Sequence, residues 1–135
     1  MKTQAREALD EIETAEREES AVLSLSLSVL VELADWKRAV KIAAILSERE
    51  PNVPAHWIQW AYATRRHKGL DEARAILMRG LGLHPLQAVF HFNLACYEAQ
   101  LGHLDDAKVF LETACGLDAE FVELAKTDDD LAPLR

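Results

Sequence analysis

The chain has 135 residues, half of them hydrophobic, and a formal net charge of −8. This length allows one domain with a modest core, and the hydrophobic content excludes a wholly disordered protein. The acidic balance argues against a nucleic acid partner. No apolar run approaches the roughly 20 residues of a membrane helix, and the polar start is unlike a secretory signal. We therefore expect a cytoplasmic protein that does not insert into a membrane.

The first 31 residues combine a charged segment with an ambiguous apolar one. Residues 1–19 are rich in Ala, Glu and Arg and predict a polar N-terminal helix that caps the domain. Residues 23–29 alternate Leu or Val with Ser, and this period of two alone is typical of a half-buried strand. Leu23, Leu27 and Leu30 also satisfy helical spacing, and an isolated strand among helices would lack a partner. The sequence therefore favours a helix there.

A period of 34 residues organises the rest of the chain. Ala39, Ala73 and Ala107 are spaced by it, and Pro51 and Pro85 keep the same offset. A fixed period of this length predicts a repeat architecture. We place three repeat units at residues 20–53, 54–87 and 88–121, followed by a C-terminal capping helix and tail at 122–135.

The central unit indicates that each period contains two helices. Pro54 suits a first helical turn, where its missing N–H costs nothing, and Trp57 and Ala61 continue one face of that helix. Gly69 then interrupts the pattern, and Asp71 suits the positive end of a second helix dipole. Each unit is therefore predicted to be a pair of helices joined by a tight turn.

This pattern resembles the tetratricopeptide repeat family over residues 20 to about 121. The family motif is an aromatic residue, Leu and a small residue, followed later by Ala, a large apolar residue, Ala and Pro. The central unit carries it as Trp57, Trp60, Ala61, Ala73, Leu77, Gly80 and Pro85. The resemblance implies an all-α, right-handed superhelical solenoid of antiparallel helix pairs. It also implies a function in binding a protein or peptide ligand, as an adaptor or scaffold.

The resemblance further implies that the first helix of each unit lines a concave wall. The predicted peptide-binding residues on that wall are Leu25, Ser28, Ile58, Gln59, Tyr62, Arg65, Arg66, Phe92, Asn93, Cys96 and Gln100. An amide can pair with both the N–H and the C=O of a peptide, and Arg65 or Arg66 could bind a carboxylate in bidentate fashion. The alternative is that both arginines are solvated residues that close the first helix, where cations suit the dipole.

Some family members hold a partner's C-terminal carboxylate with Lys and Asn from successive first helices. Asn93 matches one of those positions. Ser24, Ser28 and Val89 stand where the pattern has Lys or Asn. This departure argues against the same clamp in this chain.

No pattern in the sequence supports catalysis, a cofactor or a metal. Cys96 and Cys115 lack metal-ligand spacing and predict two buried free thiols, and no two of the five histidines are four residues apart. Asp128–Asp130 lacks the spacing of a calcium loop and predicts a solvated linker. We expect a binding protein rather than an enzyme. Two alternatives stay open: a chaperone for secreted proteins of the type III secretion kind, and a homo-oligomer formed through apolar ends.

Overall fold

The computed structural model describes residues 2–135, apart from a few side chains before Glu18. Its elements are α1 (Lys2–Glu32), α2 (Trp36–Arg49), α3 (Pro54–His67), α4 (Leu70–Leu83), α5 (Ala88–Gln100), α6 (Leu104–Leu117), α7 (Glu120–Thr127) and a 3-10 helix (Asp129–Leu134). No strand occurs in the described residues, and the predicted all-α solenoid is confirmed. None of the described helices is long and apolar enough to cross a membrane.

The helices pack in pairs that follow the chain. α1 contacts α2, α3 contacts α4 and α5 contacts α6, and the short turns between these partners require them to be antiparallel. Contacts of α2 with α3 and of α4 with α5 join each pair to the next. Gly69 (φ 127°) and Gly102 (φ 85°) supply left-handed backbone in the turns of the second and third pairs. The segment 22–31 is helical, so the helix prediction there is confirmed.

The core is made where helices of one pair cross. Ala39, Ala73 and Ala107 are all completely buried on the second helix of their pair. A methyl side chain at these points lets two helix backbones approach, while larger side chains such as Trp57 and Phe90 fill the adjacent space. The 34-residue period therefore reflects one buried alanine at the same place in each helix pair.

The helix α1 continues through the predicted boundary between residues 19 and 20. The N-terminal polar helix was predicted at residues 1–19. Met1 lies outside the described residues, and residues 2–19 extend the first helix of the first pair. No glycine or proline near Ser20 would end a helix there. Ile12 is exposed, and Nη2 of Arg49 in α2 donates a 2.9 Å hydrogen bond to the carboxylate of Glu19.

The C-terminal residues fold back onto the third pair. α7 packs on α6, and the 3-10 helix packs on α5, where Leu131 is buried. The prediction that Asp128–Asp130 is a solvated linker is wrong, because Asp130 pairs with Arg65 of α3 across 65 residues of sequence. Nothing in the repeat period encodes this contact.

Candidate binding groove

A cavity of about 430 Å³ lies between the first helices of the three pairs and the C-terminal segment. Its walls come from α1, α3, α5 and the residues around the 3-10 helix. We call this cavity the groove, and it is lined by Val31, Ile58, Gln59, Tyr62, Arg65, Asn93, Cys96, Tyr97, Asp128 and Asp130. It occupies the wall on which the ligand-binding residues are expected.

Six of the eleven predicted site residues line the groove. They are Ile58, Gln59, Tyr62, Arg65, Asn93 and Cys96. The members on α3 follow helical spacing, so they share one face, and the members on α5 occupy the same face one repeat later. The structure thus brings these six together and leaves the other five elsewhere.

Two of the other five hold the C-terminal segment instead. Phe92 is buried and stacks on Phe121 of α7, with 4.7 Å between ring centroids. The Nε2 of Gln100 donates a 2.9 Å hydrogen bond to the backbone carbonyl of Asp130. Both side chains are therefore engaged within the chain.

The remaining three lie away from the cavity. Leu25 is exposed on α1, and the hydroxyl of Ser28 donates to the backbone carbonyl of Ser24 at 3.2 Å. The guanidinium of Arg66 lies 5.4 Å from the ring centroid of Trp36 on α2. Arg66 therefore packs on the first pair, which agrees better with the alternative of a residue that closes its helix.

Arg65 is held by a carboxylate of its own chain. Its Nη1 and Nη2 donate to the two carboxylate oxygens of Asp130 at 2.8 and 2.9 Å. The hydrogen bonds that it donates to Asp130 raise the pKa of Arg65 above its ordinary value. The same guanidinium lies 5.2 Å from the ring centroid of Tyr97. The bidentate contact that the sequence suggested for a ligand is thus made within the chain.

Four uncharged polar side chains in the groove remain available to a ligand. Within residues 2–135, the amides of Gln59 and Asn93 make no hydrogen bond to the protein. The same holds for the hydroxyls of Tyr62 and Tyr97, whose rings contact other side chains. Gln59 and Asn93 are one repeat apart, so the two free amides sit at equivalent places on α3 and α5.

The comparisons with known proteins bear on the fold. No protein-family model matches the chain, and no curated protein matches it significantly. A solved structure of MamA MSR-1 C2, a tetratricopeptide-like protein, superposes with a TM-score of 0.66. The fold is tetratricopeptide-like. That match covers 75% of this chain and 58% of the MamA chain at 22% sequence identity, which establishes a shared fold and nothing about the ligand.

Four groove residues are absent from the eleven predicted site residues, and they are Val31, Tyr97, Asp128 and Asp130. Tyr97 is equivalent to Ala63 one repeat earlier, and the tetratricopeptide-like register could have placed it on the first helix of its pair. Asp128 and Asp130 lie beyond the last repeat, where the period gives no guidance. The N–H of Asp130 donates to Oδ1 of Asp128 at 2.9 Å, which orients the Asp128 carboxylate in the segment that closes the groove.

The ionised groups of the groove are one guanidinium and two carboxylates. Burial raises the pKa of Cys96 to about 12, and burial likewise raises the pKa of Tyr97 to about 12. Both groups therefore keep their protons at neutral pH. The groove carries Arg65 against Asp128 and Asp130, and so a net charge of one negative.

Two clusters in the described part of the chain have the composition of metal ligands. In the first, donor atoms of Cys96, Asp128 and Asp130 lie within 4.8 Å of one another. The thiol is protonated there, and both oxygens of Asp130 bind Arg65.

The second cluster contains Glu98, His103 and Asp106. Glu98 already accepts a hydrogen bond from Nε of Arg74, and its Oε2 lies 3.1 Å from Nδ1 of His103. In each cluster a central carboxylate, Asp130 or Glu98, is thus already bound by an arginine of the chain.

Proposed function

We propose that this protein is a protein-interaction module, an adaptor or scaffold, that binds a peptide segment of a partner in the groove. The observation that carries the proposal is the pair of unpaired amides, Gln59 and Asn93, at equivalent places on α3 and α5. A polar side chain that makes no hydrogen bond within the protein gains one when a peptide backbone fills the groove.

The rest of the lining supports the same function. Val31 and Ile58 offer apolar area beside the amides, and a volume of about 430 Å³ accommodates a few side chains of a ligand. Backbone contacts through amides bind many sequences moderately, so we expect micromolar affinity, about −8 kcal/mol. No histidine lines the groove, and its thiol is protonated, which favours binding over nucleophilic catalysis.

The first prediction tests the amide pair. We expect the Gln59→Ala, Asn93→Ala double variant to bind peptides about tenfold or more weakly, because it loses hydrogen bonds worth about 1 kcal/mol each. The full chain is titrated with short peptides selected by the wild type from a random synthetic library, and binding is followed by fluorescence anisotropy.

The matched control replaces one Asn and one Gln outside the groove. Asn52 and Gln87 are exposed residues in the connections before α3 and α5. We expect Asn52→Ala, Gln87→Ala to bind as the wild type does. Equal affinity of wild type and the groove variant would show that the amides take no part in binding, and the proposal would fail.

A second candidate function, self-association, is favoured by an apolar stripe on α1 and the turn that follows it. The stripe consists of Val22, Leu25, Val29 and Leu33, which are exposed by 62%, 68%, 47% and 71%. Their spacing places them on one side of the helix. The interval from Ser20 to Val31 contains no charged residue, so two copies of this acidic chain can meet there without like charges in contact.

The repeat register explains why this stripe is open. Val29 is equivalent to Ala63 of α3 and to Tyr97 of α5, and both of these are buried. Ala63 belongs to the same buried cluster as Ala43 and Leu46 of α2, in the preceding pair. The stripe is thus the face that a preceding helix pair would cover.

The occupant we propose is a second copy, joined through the same face. At the opposite end of the stack, α7 already packs on α6, which disfavours a head-to-tail arrangement. An interface in which α1 of each copy covers α1 of the other buries the stripe twice and closes the assembly at two copies.

The second prediction concerns this dimer. We expect Leu25→Glu, Val29→Glu to be monomeric at concentrations where the wild type is dimeric, because two charges would face each other across an apolar interface. Light scattering after size-exclusion chromatography measures the mass over a range of concentrations. The control Leu86→Glu, Val109→Glu places the same charges on exposed apolar residues away from the stripe. A monomeric wild type, or a control that dissociates equally, would contradict the proposal.

A further inference from the structure

We propose that the groove selects a partner segment that presents a basic side chain, lysine or arginine, rather than an acidic one. This inference rests on the proposed function, because it names the chemistry of the ligand of the same groove. It reverses the expectation raised by Arg65 in the sequence, which was a carboxylate ligand.

The first argument is that the carboxylate-binding group is already occupied. Arg65 and Asp130 form a two-bond contact between half-buried side chains, and the backbone carbonyl of Asp130 is further held by Gln100. Leu131, the next residue, is buried against the core. An incoming carboxylate would have to displace an anchored segment of the chain and would then face Asp128.

The second argument is that Asp128 has an unused acceptor. Its Oδ1 accepts the N–H of Asp130, whereas no described residue donates to its second carboxylate oxygen. The carboxylates of Asp128 and Asp130 also lie within 4.8 Å of each other. Arg65 balances only one of the two carboxylates of Asp128 and Asp130. The remaining negative charge attracts a cation.

The third argument is the lining around these carboxylates. Tyr97 is only 5% exposed, yet it lines the groove with a hydroxyl that makes no hydrogen bond within the described chain. Tyr62 adds a second aromatic ring, and Ile58 adds apolar area. A lysine or arginine side chain suits this combination, because its alkyl stem packs on apolar surface while its cationic end meets carboxylates and aromatic faces.

The alternative cation is a metal ion. Cys96, Asp128 and Asp130 lie close enough to hold one, but the thiol would have to lose a proton that burial retains, and Asp130 would have to leave Arg65. A basic side chain requires neither change. We therefore favour the peptide cation, and the test distinguishes the two.

The experiment compares Asp128→Asn with Asp129→Asn. Both variants lose one negative charge, but Asp129 is exposed and does not line the groove. Asparagine at position 128 keeps an oxygen that can accept the N–H of Asp130, so the turn is retained. The probes are sets of short synthetic peptides that are identical except for one central residue, which is Lys, Arg, Gln or Glu.

We expect the wild type to prefer the Lys and Arg peptides over the Glu peptide by about tenfold at low salt, as for a charge-assisted hydrogen bond. Asp128→Asn should remove most of that preference, and Asp129→Asn should leave it unchanged. Binding that Gln59→Ala, Asn93→Ala weakens, but that shows no preference for the basic peptides, would overturn this inference and leave the proposed function standing.

Two further outcomes are decisive. If no peptide binding responds to the change at Gln59 and Asn93, the proposed function fails, and this inference fails with it. If zinc ions bind the wild type at the concentrations used and abolish the preference for Lys, the carboxylates belong to a metal site. That result would also overturn the inference. Retention of the preference in the presence of a chelator supports the peptide cation.

Discussion

Replacing Phe90 with alanine is expected to lower the free energy of unfolding by about 3–5 kcal/mol. Phe90 is completely buried on α5, and its ring packs against Gly80 of α4 and stacks on His84 at 5.8 Å between ring centroids. Among the residues whose side chains the structure describes it is the largest that is fully buried, and it joins the second helix pair to the third. Urea denaturation followed by circular dichroism measures the loss.

A double-mutant cycle with Gly80 shows whether this contact is the reason. A Cβ at position 80 would lie 2.5 Å from Cε1 of Phe90 and 3.0 Å from Cβ of Trp57. Because the buried ring cannot yield easily, Gly80→Ala alone should cost about 1–3 kcal/mol. In the Phe90→Ala background only the 3.0 Å approach to Cβ of Trp57 remains, so the same change should cost less than about 1 kcal/mol.

Gly82 provides the control on the same helix. No atom lies within 4 Å of a Cβ built at position 82, so Gly82→Ala should stabilise the protein by about 0.5–1 kcal/mol. If Gly80→Ala costs the same with and without the Phe90 ring, then the close approach of α4 to α5 is not limited by that ring.

The repeat fold could be predicted from the sequence because each helix pair needs a small residue at the same buried place, and this need recurs every 34 residues. Ala39, Ala73 and Ala107 occupy equivalent buried places, and any larger side chain at one of them would separate two helices. A constraint of this kind recurs at every pair, so it appears in the sequence as an interval. The N-terminal extension of α1 lies outside the interval, and its continuity with the first pair was not predicted.

The strand-like alternation of residues 23–29 also has a physical origin. Leu27 is completely buried against α2, whereas Leu25 and Val29 are exposed on another side of α1. A helix with apolar residues on two sides produces a period of two over a short stretch. The alternation therefore carried information about a second apolar surface and not about a strand.

The candidate site was predicted only where the repeat register reaches it. Gln59 and Asn93 follow from the equivalence of α3 and α5, so both were found. The roles of Arg65 and Phe92 depend on a C-terminal segment that follows the last repeat, and its position is set by contacts remote in sequence. Such a contact leaves no periodic signal, because it occurs once in the chain.

The other large effect concerns the buried carboxylate of Glu98. This side chain is 0% exposed on α5, where it binds Nε of Arg74 from α4 and lies 3.1 Å from Nδ1 of His103. Arg74→Met removes the charged partner and keeps the length of the side chain. We expect it to destabilise the protein by about 2–4 kcal/mol, somewhat less than for a fully buried pair because Arg74 is partly exposed.

The double variant Arg74→Met, Glu98→Met separates the loss of a contact from the burial of an unpaired charge. Methionines fill the volume without a charge, so the double variant should regain most of the stability lost in the single one. Arg38→Met is the control, because its pair with Asp35 is 3.6 Å long with Arg38 76% exposed, and it should cost less than about 0.5 kcal/mol. A double variant as unstable as Arg74→Met would mean that the ion pair itself holds α5 on α4. In that case the groove wall that carries Asn93 would depend on the pair directly.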